Sequence, residues 1–599
     1  MSDWQPQANY PDLLGANYIG IDCETCDPNL LEMGPGDIRR DGKLVGISVS
    51  VPGFKAYYPI AHEGGDNLPK DTVIRWLKRQ LAGNEPKVGA NIIYDLGWLE
   101  SEGIKVNGPK HDVQVAEALI YELHASYRLE ALAQRYLGEG KDETLLRQAA
   151  LERGWKTEKQ VKANLWRLPA RFVGPYAERD ADAAREILML QLPKLEENEL
   201  MEVYDIECRL IDALHAMRMR GMPISYEKAE RAVAELTARQ QEAQSAVNHF
   251  GSGLIDVWSN QALAAACEKN GWAYPRTEKG NPSFTADWLA TADSDFFKNV
   301  LLVRQLNRSS NVFIQGKILN ASVKGRVHPN FKQTRRDDGG TKSGRLSSSN
   351  PNMQQVPARH PILAPLVRGI FVADDGYDFG MFDYSQQEPR VTVHYGYLRG
   401  YKGADEAREK YVTNPRTDYH QLVADLMEQA SGRAWGRKVA KPINLGLAYG
   451  MGKNKLAAQL GVAVDESGPI LDAYHKAVPF VRMLGDEATR QAKRRGYIRT
   501  IMGRRRHFPG GEFTHKALNA AVQGSSADMV KKAIVEVHEA GHTIYNTVHD
   551  EIDCPVRIGD RKHAAEIRDI LINAMKLEVP LVVDVEVGPS WGECELIEV

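Results

Sequence analysis

The hydrophobic period of this chain changes near residue 193, and that change restricts the fold more than any other feature of the sequence. Before it, NYIGIDCET, KLVGISVSV and KAYYPI (within 17–60) alternate apolar and polar residues, the period-two pattern of half-buried strands. DTVIRWLKRQLAG (71–83) has helical spacing, and KVGANIIYDLGWL (87–99) reads as a strand running into a helix. After Pro193, residues 195–221 are charged and amphipathic with no turn signal before Gly221-Met222-Pro223, and a second helical stretch follows at 226–248. We expect a multidomain protein: an α/β domain over 1–195, with the boundary near 193–200, and a mixed α+β region over 196–599. The 599 residues require several domains, because single cores stop growing near roughly 250–300 residues.

Composition removes some classes. The sequence is 43% hydrophobic and 26% charged, ordinary for a globular protein. It has no uninterrupted apolar run long enough to span a bilayer, so no membrane partner is expected. MSDWQPQANY lacks the apolar core of a signal peptide, and six cysteines in so long a chain make no disulfide framework. These features point to a cytoplasmic location. The net charge is −3, but KRRGYIRTIMGRRRH (493–507) carries only positive charge. Alone, such a stretch reads as a solvated helix and turn.

Acids carry the chemistry. Asp22 and Glu24 stand two apart in an apolar strand, so both face one side. Two adjacent carboxylates repel unless a cation lies between them. A single D-x-E is more often an exposed strand end. Here, though, Asp95 follows the apolar NIIY, and Tyr176 and Asp180 share a helix face in YAERDADAA. Cys23-Glu24-Thr25-Cys26, one C-x-x-C without further ligands, supports neither zinc nor redox chemistry. Further on, Asp383 ends the strand-like FGMFDYSQQEPR and Asp550 lies in TVHDEID; each alone reads as a turn acid. Between them, GRAWGRKVAKPINLGLAYG (432–450) repeats Arg437, Lys441, Leu445 and Tyr449 every four residues. On a helix these form one ridge. Two cations followed by an aromatic suit a triphosphate and a flat base; the same pattern also fits an amphipathic core helix with snorkelling cations.

IDCET, ANIIYD and YAERD resemble, in order and spacing, the three motifs of DEDDy 3′→5′ proofreading exonucleases. DYSQQEPR, RKVAKPINLGLAYG and VHDEID resemble motifs A, B and C of family A DNA polymerases, the bacterial polymerase I class. SGRLSSSNPNMQQVP (343–357) and NAAVQGSSADMVKKA (519–533) resemble that family's template-primer segment and the helix feeding motif C. The resemblance covers nearly the whole chain. It implies an RNase H-like 3′–5′ exonuclease domain (1–195) followed by a right-hand polymerase domain: mainly thumb over 196–330, palm over 331–390 and 530–599, and fingers over 391–529. It further implies that Asp22, Glu24, Asp95 and Asp180 hold two Mg²⁺ ions, Mn²⁺ being able to substitute, while Tyr176 orients the attacking water. By the same resemblance Asp383, Asp550 and the Tyr384 carbonyl hold a second pair of ions, with Glu551 a supporting acid. Arg437 and Lys441 bind the triphosphate, and Lys441 is placed to protonate the leaving group. Leu445, Tyr449, Gln386 and His549 lie around the nucleotide, and Glu388 blocks a ribose 2′-OH. Arg345, Asn519, Gln523 and His549 contact primer or template, partly in the minor groove. In that setting the basic stretch, with Arg504 and Arg505, reads as a phosphate contact.

Four residues depart from the family pattern. Leu445 replaces the usual Phe or Tyr, Pro442 sits inside the fingers helix, Pro389 follows the gate glutamate, and His515 stands where Arg is common. Pro442 implies either a bend or a later helix start. No 5′-nuclease segment precedes the exonuclease motifs, which resembles phage replicative polymerases. The expected partners are primer-template DNA, dNTPs and replisome proteins: helicase, primase and single-strand-binding protein. The alternatives are a single-subunit RNA polymerase-like enzyme, against which Glu388 and the exonuclease motifs argue, a DNA-binding protein with only exonuclease activity, and a binding protein with inactive sites.

Overall fold

The computed structural model describes residues 4–138, 144–334, 341–432, 434–448 and 451–599, without the side chains of 430, 431, 442, 445, 447 and 448. In the N-terminal domain five strands form one sheet: β1 (Ile19–Cys26), β2 (Lys43–Val51), β3 (Phe54–Pro59), β4 (Lys87–Gly89) and β5 (Lys110–Asp112), in the order β3-β2-β1-β4-β5. The first three are antiparallel; β4 and β5 run parallel to β1. Ile19, Ile21, Leu44, Ile47 and Val49 are buried on the alternating face that the sequence pattern marks, and the Lys70–Leu81 helix packs there through Val73, Trp76 and Leu77.

The helix Ala170–Glu197 crosses β1 closely. Its Ala181 carbonyl lies where only a glycine, Gly20, leaves room: a Cβ at that position would come within 2.3 Å of the carbonyl oxygen. The single helix expected over 195–221 is in fact two. One ends at Glu197 and the next spans Met201–Arg220, with Glu199 at a left-handed φ of 55° between them. The Met201–Arg220 helix then joins the two halves. Its Tyr204, Leu210 and Leu214 belong to one continuous apolar core that includes Ile187 and Leu188 on one side and Phe382 and Ile534 on the other.

The second domain centres on a five-stranded sheet whose middle strand is Tyr377–Tyr384. It is flanked by Glu551–Arg557 and Val583–Gly588, both antiparallel to it. The long helix Ala517–Glu539 supports this sheet through Met529, Ile534 and Val537. Helices Gln387–Leu398, Tyr419–Ser431, Gly436–Ala448 and Pro479–Arg495 build the region expected as fingers. The Gly436–Ala448 helix begins before Pro442, so a later start is excluded. Residues 243–303 form a separate aromatic core around Trp272, Phe284, Phe296 and Phe297.

Candidate active sites

Asp22 and Glu24 lie half-buried on β1 with the buried Cys23 between them. The Cys23 N–H donates to Asp95 Oδ1 at 3.0 Å, which fixes the helix Ile92–Ser101 against the strand. Burial, and then the charge of Asp22, hold the Asp95 carboxyl well above the usual carboxylate range. Asp112 also contributes, and its Oδ2 accepts from the Ile92 N–H at 3.0 Å, securing the first turn of the Asp95 helix. Asp180 is buried on the helix that crosses β1 at Gly20. Glu24 and Tyr176 line one cleft of about 460 Å³ together with Lys162, Arg218, Lys332 and Asn350. Cys23 and Cys26 are free thiols packed in the strand.

Asp383 is the penultimate residue of the central strand of the second sheet and pairs in register with Glu551 on one side and Asp584 on the other. Asp550 occupies the hairpin turn beside it, and its carbonyl accepts from the Tyr384 N–H at 3.3 Å. The turn puts His549 at φ 59°, a conformation that glycine normally takes in tight hairpins; such strain collects at functional sites. Burial, followed by Asp550, Glu551, Asp584 and Glu586, pushes the Asp383 carboxyl up to about 8. Burial also raises Asp550, with Arg345 and His549 acting against it. Glu551 is held by the Trp591 indole N–H at 3.1 Å, with Arg368 3.9 Å away. Tyr384 is anchored by its hydroxyl on the Leu571 carbonyl at 2.6 Å.

Both clusters offer carboxylate oxygens, the donor set of hard divalent cations, and crowded acids gain most from a cation between them. In donor chemistry, the residues therefore suit divalent metal ions. Among the described residues no three His, Cys, Asp or Glu side chains are grouped closely enough to hold a metal ion as they stand.

Around the second cluster, Arg345 Nη2 donates to Glu388 Oε1 at 2.6 Å. Glu388 borders a narrow cavity with Tyr419, His420 and Asn444. Gln386 braces the palm strand to the fingers: its Nε2 donates to the Thr417 carbonyl at 3.0 Å and its Oε1 accepts from the Tyr419 N–H at 2.7 Å. Arg437 and Lys441 are exposed on the Gly436–Ala448 helix, and Arg437 is paired with Asp418 at 2.5 Å. Tyr449 and the Leu445 side chain lie outside the described residues. Asn519 and Gln523 are half-buried one turn apart on the Ala517–Glu539 helix.

The basic stretch makes protein contacts. Arg504 is buried between Glu207 and Asp528, 2.6 Å from each, and Lys531 shares Glu207 at 2.6 Å. Arg505 donates to the Asn198 side chain and carbonyl at 2.6 and 2.8 Å. Arg506 and His507 both reach Glu122 of the N-terminal domain at 2.7 Å. These residues fasten a hairpin to both domains, so Arg504 and Arg505 are structural ties here. Sequence reasoning missed His420, whose ring lies with Asn444 at 3.0 Å and feels the Arg437 and Lys441 charges. It also missed Asp418, Asp112 and the Arg368–Trp591 pair. Asp418 in TDYHQ, a residue type that caps helices, was the available signal for Asp418 and His420.

An acid-bearing RNase H-like sheet and an acid-centred palm sheet with a cationic helix define a two-site nucleic-acid enzyme. The family DNA polymerase family A matches residues 226–593, and the family 3′-5′ exonuclease matches residues 6–195. A DNA-directed DNA polymerase of Pseudomonas phage M6 is 37% identical, over 99% of this chain and 96% of that protein. The DNA polymerase DpoZ of Acinetobacter phage SH-Ab 15497 is 30% identical over 97% and 98% of the two chains. The POL domain of Pol1 from M. smegmatis, solved in complex with DNA primer-template and dNTP, superposes with a TM-score of 0.78 at 24% identity over 97% of both chains. The chain belongs to DNA polymerase family A. It is a DNA-directed DNA polymerase with a 3′–5′ exonuclease domain, which sets aside the RNA polymerase-like and exonuclease-only readings. Its two domain families work with divalent metal ions, and none of the described helices is long and apolar enough to cross a membrane.

Proposed function

We propose that the chain extends a primer 3′-OH from dNTPs on a DNA template at Asp383 and Asp550, and removes misplaced 3′ nucleotides at Asp22, Glu24, Asp95 and Asp180. The observation that carries this is the register of the palm sheet, which sets Asp383 against Glu551 beside the Asp550 turn while Arg345 and Glu388 face one another next to them. Asp383, Asp550 and the Tyr384 carbonyl are the donors we assign to two Mg²⁺ ions, and the four N-terminal acids to another two, with Mn²⁺ as a substitute. Bound there, such ions activate the attacking oxygen and neutralise the leaving one.

The chain's own residues do the rest. Arg437, Lys441 and His420 receive the triphosphate, and Lys441 delivers a proton to the departing pyrophosphate. Glu388, held by Arg345, occupies the space a ribose 2′-OH would need. Leu445, Tyr449 and His549 border the new base pair, with Gln386 bracing the pocket behind them. Glu551 keeps Asp550 in place through Trp591 and Arg368. Arg345, Asn519 and Gln523 touch primer or template. Tyr176 orients water for excision. The setting is phage DNA replication in a bacterial cytoplasm, with helicase, primase and single-strand-binding protein as partners.

The test is a labelled primer-template incubated with Mg²⁺, with and without dNTPs. Lengthening with dNTPs and shortening without them support the proposal. Extension that proceeds equally well with rNTPs, or an unchanged primer in both lanes, refutes it.

A further inference from the structure

The cavity that Glu388 borders has a volume of about 20 Å³. Glu388, Pro389 and Thr392 line it from the helix Gln387–Leu398, Tyr419 and His420 from Tyr419–Ser431, and Asn444 from Gly436–Ala448. Val481 and Val522 add apolar wall from two further helices.

Two polar atoms of these lining residues have no hydrogen-bond partner among the described residues: the Tyr419 hydroxyl and the Asn444 side-chain carbonyl. Both residues are buried, Tyr419 at 3% exposure and Asn444 at 7%. A buried polar group without a partner is costly, so the pair calls for an occupant. Their neighbours are already engaged. Thr392 Oγ1 donates to the Glu388 carbonyl at 2.9 Å, the Asn444 amide nitrogen lies 3.0 Å from His420 Nδ1, and Glu388 Oε1 accepts from Arg345 at 2.6 Å. Tyr419 itself is well fixed. Its N–H donates to Gln386 Oε1 at 2.7 Å, and the Tyr411 ring lies parallel to its own with centroids 6.4 Å apart. Burial raises the Tyr419 hydroxyl well above its ordinary value, so it keeps its proton and is a donor.

Size and polarity select the occupant. Apolar cavities stay dry, whereas a polar one above roughly 10–15 Å³ takes a water, which makes about three hydrogen bonds. At about 20 Å³ there is room for one, so the polar groups on the wall share a single molecule. Their donors and acceptors balance around it. The Tyr419 O–H donates to the water, and its two hydrogens go to the Asn444 carbonyl and the Glu388 carboxylate.

We propose that Tyr419 and Asn444 hold a buried water against the Glu388 carboxylate, and so position the group that excludes a ribose 2′-OH. The inference rests on Glu388 being that gate, and the experiment separates the two. Arg345 holds the carboxylate from one side and the water from the other. Tyr419 is a positioning residue: it acts through Glu388 and touches no substrate.

Primer extension by the full chain is measured with dNTPs and with rNTPs for the parent, Y419F, E388A and the double variant, and read as the ratio of kcat/KM values. Phenylalanine keeps the ring and removes only the hydroxyl, so Y419F should trim a single-stranded 3′ end at the parent rate. Its discrimination against rNTPs should fall about three- to ten-fold, the size of one hydrogen bond, with kcat/KM for dNTPs within about two-fold of the parent. In the E388A background the same substitution should change nothing further, because the two residues act as one unit. Unchanged discrimination in Y419F beside a loss in E388A would overturn the water bridge and leave the gate standing, as would an equal further loss in the double variant. A crystal structure of the parent with no water within about 3 Å of Tyr419 Oη and Asn444 Oδ1 would overturn it as well. No loss of discrimination in E388A would remove the gate itself, and the bridge with it.

Discussion

Gly20→Ala offers a direct view of how the N-terminal site is assembled. The added methyl would sit 2.3 Å from the Ala181 carbonyl oxygen and 3.3 Å from Arg185 Cβ, whereas ordinary contact begins at 3.4 Å. Backbone cannot swing aside as a side-chain tip can, so the Ala170–Glu197 helix must retreat by roughly 1 Å, the shortfall at that oxygen. Tyr176 and Asp180 ride on this helix, while Asp22 and Glu24 stay with the strand. A misplacement of about 1 Å between groups that act together costs about 10²-fold in rate, and overpacking costs about 1–3 kcal/mol of stability. The assay is paired: excision of a single-stranded 3′ end and extension of a primer by the same preparation. Excision should fall about 100-fold while extension stays within about two-fold. Gly485→Ala, whose Cβ would meet nothing within 4 Å, is the control and should change neither. Undiminished excision in G20A would refute the idea that this helix–strand contact sets the site; equal loss of both activities would show a global effect instead.

Asp418→Asn should tighten dNTP binding. It keeps the side-chain oxygen that caps the Tyr419–Ser431 helix but frees Arg437 from an ion pair that is 48% and 38% exposed at its two side chains. Such a pair is worth about 0.2–1 kcal/mol, so a dNTP Kd lowered by up to about five-fold is expected from titration; no change would mean Arg437 does not reach the triphosphate. Glu388→Ala should cut discrimination against rNTPs at least about ten-fold in competition assays, equivalent to about 1.4 kcal/mol at the transition state, and unchanged sugar selectivity would remove its gate role. Acid should loosen the Arg504–Glu207–Lys531 cluster. Its cations hold the Glu207 carboxyl down to about 2, so the stabilisation is complete above the ordinary glutamate value near 4.5 and is lost as pH falls from there through 2. Melting curves across that window should show a component that Glu207→Gln abolishes; a Gln variant with the same acid profile would exclude it.

The parts of this fold that the sequence discloses are those governed by neighbours along the chain. Alternation in β1 to β3 places Asp22 and Glu24 on one face, and the four-residue spacing of Tyr176 and Asp180 places them on one side of a helix. The hairpin that carries Asp550 announces itself as two short apolar runs around His549-Asp550. The break at 198–200 does not, because neither Gly nor Pro marks it and Glu199 adopts a left-handed φ unaided. The protein partners of the basic run 493–507 are hidden in the sequence for a related reason. Its like charges are visible in sequence, but the acids that pair with Arg499, Arg504, Arg506 and His507, namely Glu199, Glu207, Asp528 and Glu122, arrive from distant segments. Pro442 left open a bend or a later helix start, and the helix opens at Gly436, before the proline, which excludes the later start. His420 and the Trp591–Glu551 bond are tertiary facts with no periodic signature.

Separate acidic pockets for the two activities can be tested on one gel. Asp383→Ala and the double variant Asp22→Ala with Glu24→Ala are each given the same labelled primer-template, Mg²⁺ and dNTPs, and then the same DNA without nucleotides. Asp383→Ala should trim the primer and never lengthen it, and the double variant should lengthen it and never trim it. Either variant losing both activities together, or Asp383→Ala extending at the parent rate, would contradict the division of chemistry described here.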